Sequence, residues 1–245
     1  MTTTDIETPA DSEAAAQTLS QRLREVSFGG HGGKDDWTGS PEDAPQEPQY
    51  YTAYLRGGLN REGIAAQFAQ HFLMYEALEG ATAAHRDRLG ADFAFWLPEL
   101  HRLPALRQDL AHWIGEDWET EVRGRYATAG ILRYVDRINE VAYDSLPLFV
   151  AHHYTRYLAD LSGGLMIARM FRKSYGIEGD DGMRFYLFDG IADPRAYKDA
   201  YRALLDGLDL SAEEQRALAD EVALAYRLNN EAGRDLEARF AEYRA

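Results

Sequence analysis

Ala151-His-His-Tyr-Thr-Arg-Tyr-Leu-Ala-Asp-Leu-Ser-Gly-Gly164 is the stretch on which the fold turns. Tyr154, Tyr157 and Leu161 recur at i, i+3 and i+4 spacing, so they form one stripe of a helix. Asp160 stands three residues after Tyr157 and sets a carboxylate beside that stripe. Taken alone it reads as a solvated helix residue; beside an apolar face it would need hydrogen-bond partners, because an unpaired buried acid is costly. Gly163 and Gly164 stand within the same periodic run. Each costs roughly 1 kcal/mol relative to Ala in a helix interior. Close approach to a flat ligand, a kink, or tight packing against another helix would each justify the pair, and the residues alone leave the three open.

Outward from this stretch the chain reads as helix almost throughout. Asp144-Ser145 caps the helix on its N-terminal side, with Pro147 tolerated in the first turn, and the helix runs to about Tyr175. Before it lie an amphipathic run over 127–141 and a helix starting between Pro98 and Pro104. Asn60 offers an N-cap for a helix to about Arg88, with Ile64, Phe68, Phe72, Tyr75 and Leu78 as its apolar stripe. Gly57-Gly58 ends a short helix over 50–55. After a loop at 176–182 come helices over 197–205 and 211–244, the last opened by a Ser211/Glu214 capping box. Strand-like alternation is rare. The sum is an all-α domain of roughly eight helices over 18–245, with an acidic disordered tail over 1–17. An irregular Gly/Pro-rich insertion occupies 29–49.

Composition narrows the chemistry. With no cysteine, disulfides, thiolate catalysis and Cys-held zinc or iron–sulfur sites are excluded. The 26 basic against 41 acidic residues give a net charge of −15, which argues against non-specific nucleic-acid binding. No apolar run is long enough to span a bilayer, and residues 1–16 lack a basic, then apolar, secretory start. The expectation is a cytoplasmic protein without membrane or nucleic-acid partners.

The run from Val150 to Gly164 closely resembles the signature of the haem oxygenases. Further matches follow in that family's order: Tyr75-Glu-Ala-Leu-Glu79, Leu110-Ala-His-Trp113, Phe185-Tyr-Leu-Phe188, Tyr197-Lys-Asp-Ala-Tyr-Arg202 and Ala225-Tyr-Arg-Leu-Asn229. The resemblance spans about Leu19 to Phe240. It implies a single all-α domain, a multi-helix bundle holding haem between a proximal helix and a kinked distal helix. It also implies oxidative opening of the porphyrin ring with O₂ and external electrons to biliverdin, CO and Fe²⁺, with haem both cofactor and substrate. A ferredoxin or flavoprotein reductase is then the expected electron donor.

Carried over position by position, the resemblance makes His31 the axial ligand of the haem iron, eight residues after Leu23, with Asp35 holding its other ring nitrogen. His71 and His85 stand as alternatives. Arg24, Lys198 and Arg202 match basic positions that reach haem propionates, although the last two alone would read as a solvated helix face. Asp160 matches the acid that organises water and delivers a proton on the distal side. Tyr75, Arg156 and Asn229 match its polar network, and Tyr154 a haem-pocket aromatic. Gly163 and Gly164 match the glycines that let the distal backbone lie over the ring. His152 matches a family histidine that is not the ligand; His153 has no assigned role.

Three departures qualify this. The segment Gly29-Gly-His-Gly-Gly33 should fray a ligand helix that lacks haem, at about 1 kcal/mol per glycine. The stretch from His31 to Tyr50 is about eleven residues longer than the family spacing, and it includes Trp37. Ala159 stands where the family usually has glycine, and its methyl would press towards the haem face. The altered proximal segment and Ala159 motivate one alternative, a haem-binding or haem-sensing protein with weak or absent turnover; a related fold repurposed for other chemistry without haem is the third reading.

Overall fold

The computed structural model describes residues 17–30 and 49–245. The expectations for the acidic tail, for His31 and Asp35 and for most of the Gly/Pro-rich insertion lie outside them. Ten α-helices occupy the described residues: α1 (Leu19–Gly30), α2 (Gln49–Arg56), α3 (Arg61–Leu89), α4 (Leu103–Trp113), α5 (Trp118–Gly124), α6 (Ala129–Val141), α7 (Leu146–Tyr175), α8 (Pro194–Asp206), α9 (Ala212–Ala238) and α10 (Phe240–Tyr243). Short 3₁₀ turns lie at Pro98–Leu100 and Arg184–Tyr186. No strand occurs among the described residues, only an isolated bridge between Leu59 and Arg244.

The expected caps are present. Asn60 accepts the Gly63 amide at 2.9 Å, Ser145 accepts that of Leu148, and Ser211 and Glu214 close a reciprocal box. Gly176, at φ 64°, ends α7 in the left-handed conformation that only glycine adopts cheaply. Asp193, with Pro194 after it, starts α8 three residues before the expected Tyr197.

Three expectations are corrected. α1 continues through Gly29 and Gly30, so the insertion begins later than glycine content alone indicates. A short helix, α5, appears where none was read; Trp118 at its start packs edge-on to Phe72, 5.0 Å away. The final helix divides at Arg239, because the chain must turn to bury Tyr243 beside Gly63. A Cβ on Gly63 would sit 2.8 Å from that of Tyr243, and the Asn60 amide donates to the Tyr243 carbonyl at 2.8 Å.

α3 and α7 are buried around most of their circumference, which suits helices at the centre of an all-α domain. α7 packs on α9, α9 on α6, and α3 on α4 and α6. Phe68, Phe149, Phe171, Phe185 and Tyr157 are fully buried between them. Each such ring contributes roughly 1.5–3 kcal/mol of burial free energy. α1 packs on α9 and α8, and α8 also touches α7. Asp206 accepts both the amide and the hydroxyl of Ser20 at 2.8 Å, tying α1 to the end of α8.

Candidate active site

A cavity of about 800 Å³ opens between α2, α3, α6, α7 and α9. Arg156 and Asp160 reach it from α7, His71 and Gln67 from α3, Tyr134 from α6 and Asn229 from α9. Tyr51, Tyr54 and Tyr186 complete an aromatic side. The i, i+4 spacing of Arg156 and Asp160 puts both on one face of α7, with Arg156 Nη2 3.5 Å from Asp160 Oδ2. Tyr75 donates a short hydrogen bond to the same Oδ2. Arg156 Nη1 donates to Asn229 Oδ1 at 2.6 Å. Four of the expected site residues therefore meet in one connected network.

Burial controls its charges. Desolvation raises the Tyr75 phenol well above its usual range, with the Asp160 charge adding to it, so Tyr75 is a donor throughout the physiological range. Burial works against the Arg156 charge, but Asp160 and Tyr75 outweigh it and hold the guanidinium protonated. Arg156 Nε and the Tyr134 hydroxyl are buried with no hydrogen-bond partner among the described residues. Orphaned polar atoms on a cavity wall call for polar contents such as ordered water.

The other expected residues lie beside this network and do not line the cavity. Tyr154 is buried, its hydroxyl 3.4 Å from Ser27 of α1. Lys198 of α8 donates to Ser162 of α7 at 3.1 Å, and Arg202 pairs with Asp199 at 2.6 Å. Arg24 is exposed on α1. The two glycines divide. A Cβ on Gly163 would find only the Ile167 Cδ1 atom, 3.6 Å away, so its face is open. A Cβ on Gly164 would come within 2.9 Å of the Tyr186 carbonyl oxygen. Packing against Tyr186 explains Gly164, whereas an open approach explains Gly163.

Several working residues were not read from the sequence. Glu79 accepts the amides of Arg102 and Leu103, and Arg102 donates to the carbonyls of Phe185 and Leu187. Asp109 accepts the amides of Arg184 and Phe185 at 2.9 and 2.7 Å. Together they clamp the segment that carries Phe185 and Tyr186 to the cavity; burial raises the Asp109 carboxyl to about 7. His153 has a place after all. Its Nδ1 lies 2.7 Å from the Tyr201 hydroxyl and its ring stacks on Tyr201, joining α7 to the helix that bears Lys198 and Arg202. His152 Nε2 lies 3.0 Å from Glu221, one helical turn before Arg156 on α7. His85 contacts the Ala142 carbonyl and Arg88, so it is committed to structure.

The haem oxygenase family model matches residues 46–235. The chain belongs to the haem oxygenase family. Heme oxygenase 2 of Synechocystis sp. is 34% identical over 191 residues, 77% of this chain and 75% of that protein. Heme oxygenase 1 of Rattus norvegicus is 31% identical over 198 residues, 80% of this chain and 68% of that one. The crystal structure of heme oxygenase-1 from Synechocystis sp. in complex with heme superposes with a TM-score of 0.77 at 27% identity, covering 92% of this chain and 95% of that chain. Heme oxygenase-2 from Synechocystis sp., in complex with heme and NO, gives 0.76 at 30% identity, covering 90% and 85%.

The residues of this haem oxygenase fit a haem. The open Gly163 face has room for a flat ring to approach the backbone with no Cβ between. Lys198, at Ser162 one residue along, places a positive charge beside that face. The orphaned Arg156 Nε and Tyr134 hydroxyl supply a polar wall to the adjoining cavity. No helix among the described residues is long and apolar enough to cross a membrane.

Proposed function

We infer that this haem oxygenase opens the porphyrin ring of haem with O₂ and external electrons to give biliverdin, CO and Fe²⁺, with Asp160, Arg156, Tyr75 and Asn229 as its distal machinery. Bound haem supplies both the iron that reacts with O₂ and the ring that is opened. The observation that carries the residue assignment is the single network joining those four side chains at one cavity wall.

Their work is to place a proton. Asn229 fixes one arm of the Arg156 guanidinium, and the other arm lies beside Asp160. Tyr75 and Arg156 both engage Asp160 at Oδ2, which leaves Oδ1 as an acceptor for water in the cavity. A water held there presents its second hydrogen away from the carboxylate. Proton delivery by water keeps a bulky acid away from the ring edge. Gly163 permits backbone approach, and Tyr154, earlier on α7, is buried with its hydroxyl toward Ser27 of α1.

His31 is the proposed axial ligand. It follows directly on the Gly30 end of α1, the helix that Ser27 and Ser20 tie to Tyr154 and Asp206. Gly163 and Gly164 are both proposed to border the haem, Gly164 through its packing on Tyr186. Lys198, Arg202 and Arg24 are proposed to neutralise the propionates. The same three cations on α1 and α8 suit an acidic electron donor, a ferredoxin or flavoprotein reductase. The proposed site of action is cytoplasmic.

The test is a pair of variants. His31→Ala should abolish the six-coordinate haem spectrum and turnover. Asp160→Asn should keep haemin binding within about threefold and lower turnover by about 10²-fold or more. Unchanged turnover in both would refute the assignment.

A further inference from the structure

Among the described residues, His71 is the histidine on the cavity wall, and the mechanism above leaves it unused. It is half-buried on α3, four residues before Tyr75 and so on the same helix face. Its ring stacks on Phe185 at 4.5 Å and 24°. Nδ1 lies 3.2 Å from Arg156 Nη2, and Nε2 lies 3.0 Å from the side-chain amide nitrogen of Gln67.

Chemistry settles the protonation state. A guanidinium has only N–H groups to offer, so Nδ1 must be the acceptor and carry no proton. The ring proton then sits on Nε2 and donates to Gln67, whose amide turns to present its oxygen. An imidazolium would aim a second cation's N–H at Arg156. Burial and the Arg156 charge both push His71 well below its ordinary range, which agrees with this assignment.

We propose that His71 is a positioning residue of the distal network, whose neutral imidazole accepts from Arg156 and holds the guanidinium partly off Asp160. Nη2 is nearer the imidazole, at 3.2 Å, than the carboxylate of its own helix, at 3.5 Å. A carboxylate four residues along a helix would otherwise draw the guanidinium into a closed pair. With Arg156 shared three ways, among Asn229, His71 and Asp160, the carboxylate keeps an oxygen for water. Without the imidazole acceptor, Nη2 closes on Asp160 and competes with Tyr75 and with that water.

This rests on reading the cavity as the distal side of the haem; absence of a Soret band when haemin is added to the wild-type protein would signal failure of that reading alone. The proposal itself is tested in two ways. Long-range ¹H–¹⁵N correlation spectra of the wild-type protein without haemin should show His71 as the Nε2–H tautomer from about pH 8 to pH 5.5, with no imidazolium forming. His71→Leu, which cannot accept, and His71→Gln, which can, should then differ. With haemin bound, His71→Leu should lower kcat by about tenfold or more at near-constant haemin affinity, and shift the acid–alkaline transition of the haem spectrum by about half a unit or more. His71→Gln should return both to near wild type. The proposal is overturned if His71 titrates within that pH range, or if the two variants behave alike. Should His71→Leu fail to fold, the wild-type tautomer spectrum decides.

Discussion

Gly163 and Gly164 are adjacent and chemically identical, yet they do different things. The sequence left approach, kinking and packing open for both. Only the neighbours separate them: open space at Gly163, and the Tyr186 carbonyl at Gly164. Gly163→Val should therefore weaken haemin binding by tenfold or more while the thermal midpoint moves little, because valine is a slightly better helix former than glycine, by about 0.5 kcal/mol or less. Gly164→Val should do the reverse first, losing about 1–3 kcal/mol of stability through overpacking. Isothermal haemin titration beside thermal melts of both variants checks this; equal losses of affinity and stability in the two would contradict it. The polar network was similarly half legible. Tyr75, Arg156, Asp160 and Asn229 lie in motifs that match the family run by run. His71 does not, although its i, i+4 relation to Tyr75 was there to be read. What the sequence lacked was the orientation of α3 against α7, which alone brings His71 to Arg156.

At the scale of elements, capping chemistry made most boundaries readable, because Asn60, Ser145 and Ser211 act within a few residues of themselves. The missed features depend on distant contacts. Arg239 breaks the last helix so that Tyr243 can reach Gly63, and α5 is short and docks Trp118 on Phe72. The α7–α8 junction carries a pH prediction. Burial lowers His153 to about 3, with the charge of His101 adding to the effect. The unfolded chain protonates this histidine near pH 6.5 while the folded chain does not. Its contribution is therefore fully present above about 6.5 and declines as pH falls towards 3. His153→Asn removes that dependence along with the Tyr201 contact. The stability gap between wild type and this variant should narrow by about 2 kcal/mol from pH 7.5 to pH 5, read by urea unfolding. A gap that widens would contradict the buried neutral imidazole. On α9, beside the neighbouring His152, Glu221 is pulled down to about 2; burial opposes this, but His152 and Arg137 prevail. It stabilises the fold above about pH 4.3, and that contribution is lost only as pH falls through 2.

At the scale of the molecule, the all-α reading was accessible because period-3.6 stripes and the absence of strand patterns recur along the whole chain. The domain is centred on α7, and the Val150–Gly164 run that decided the fold also carries Arg156, Asp160 and the open face at Gly163. Phe171, fully buried where α7 meets Tyr54 and Phe68, ties this centre together. Phe171→Ala should cost about 3–5 kcal/mol and lower the thermal midpoint without changing the spectrum of haem bound by the remaining folded protein. The central claim, ring-opening of haem by this chain, has one direct measurement. Haemin is titrated into the purified protein until the Soret band saturates, and a ferredoxin or flavoprotein reducing system is then added in air. The account predicts that the Soret band decays as biliverdin absorbance grows, with CO released in proportion to the haem consumed. A Soret band that forms and then survives reduction in the presence of O₂ would contradict it.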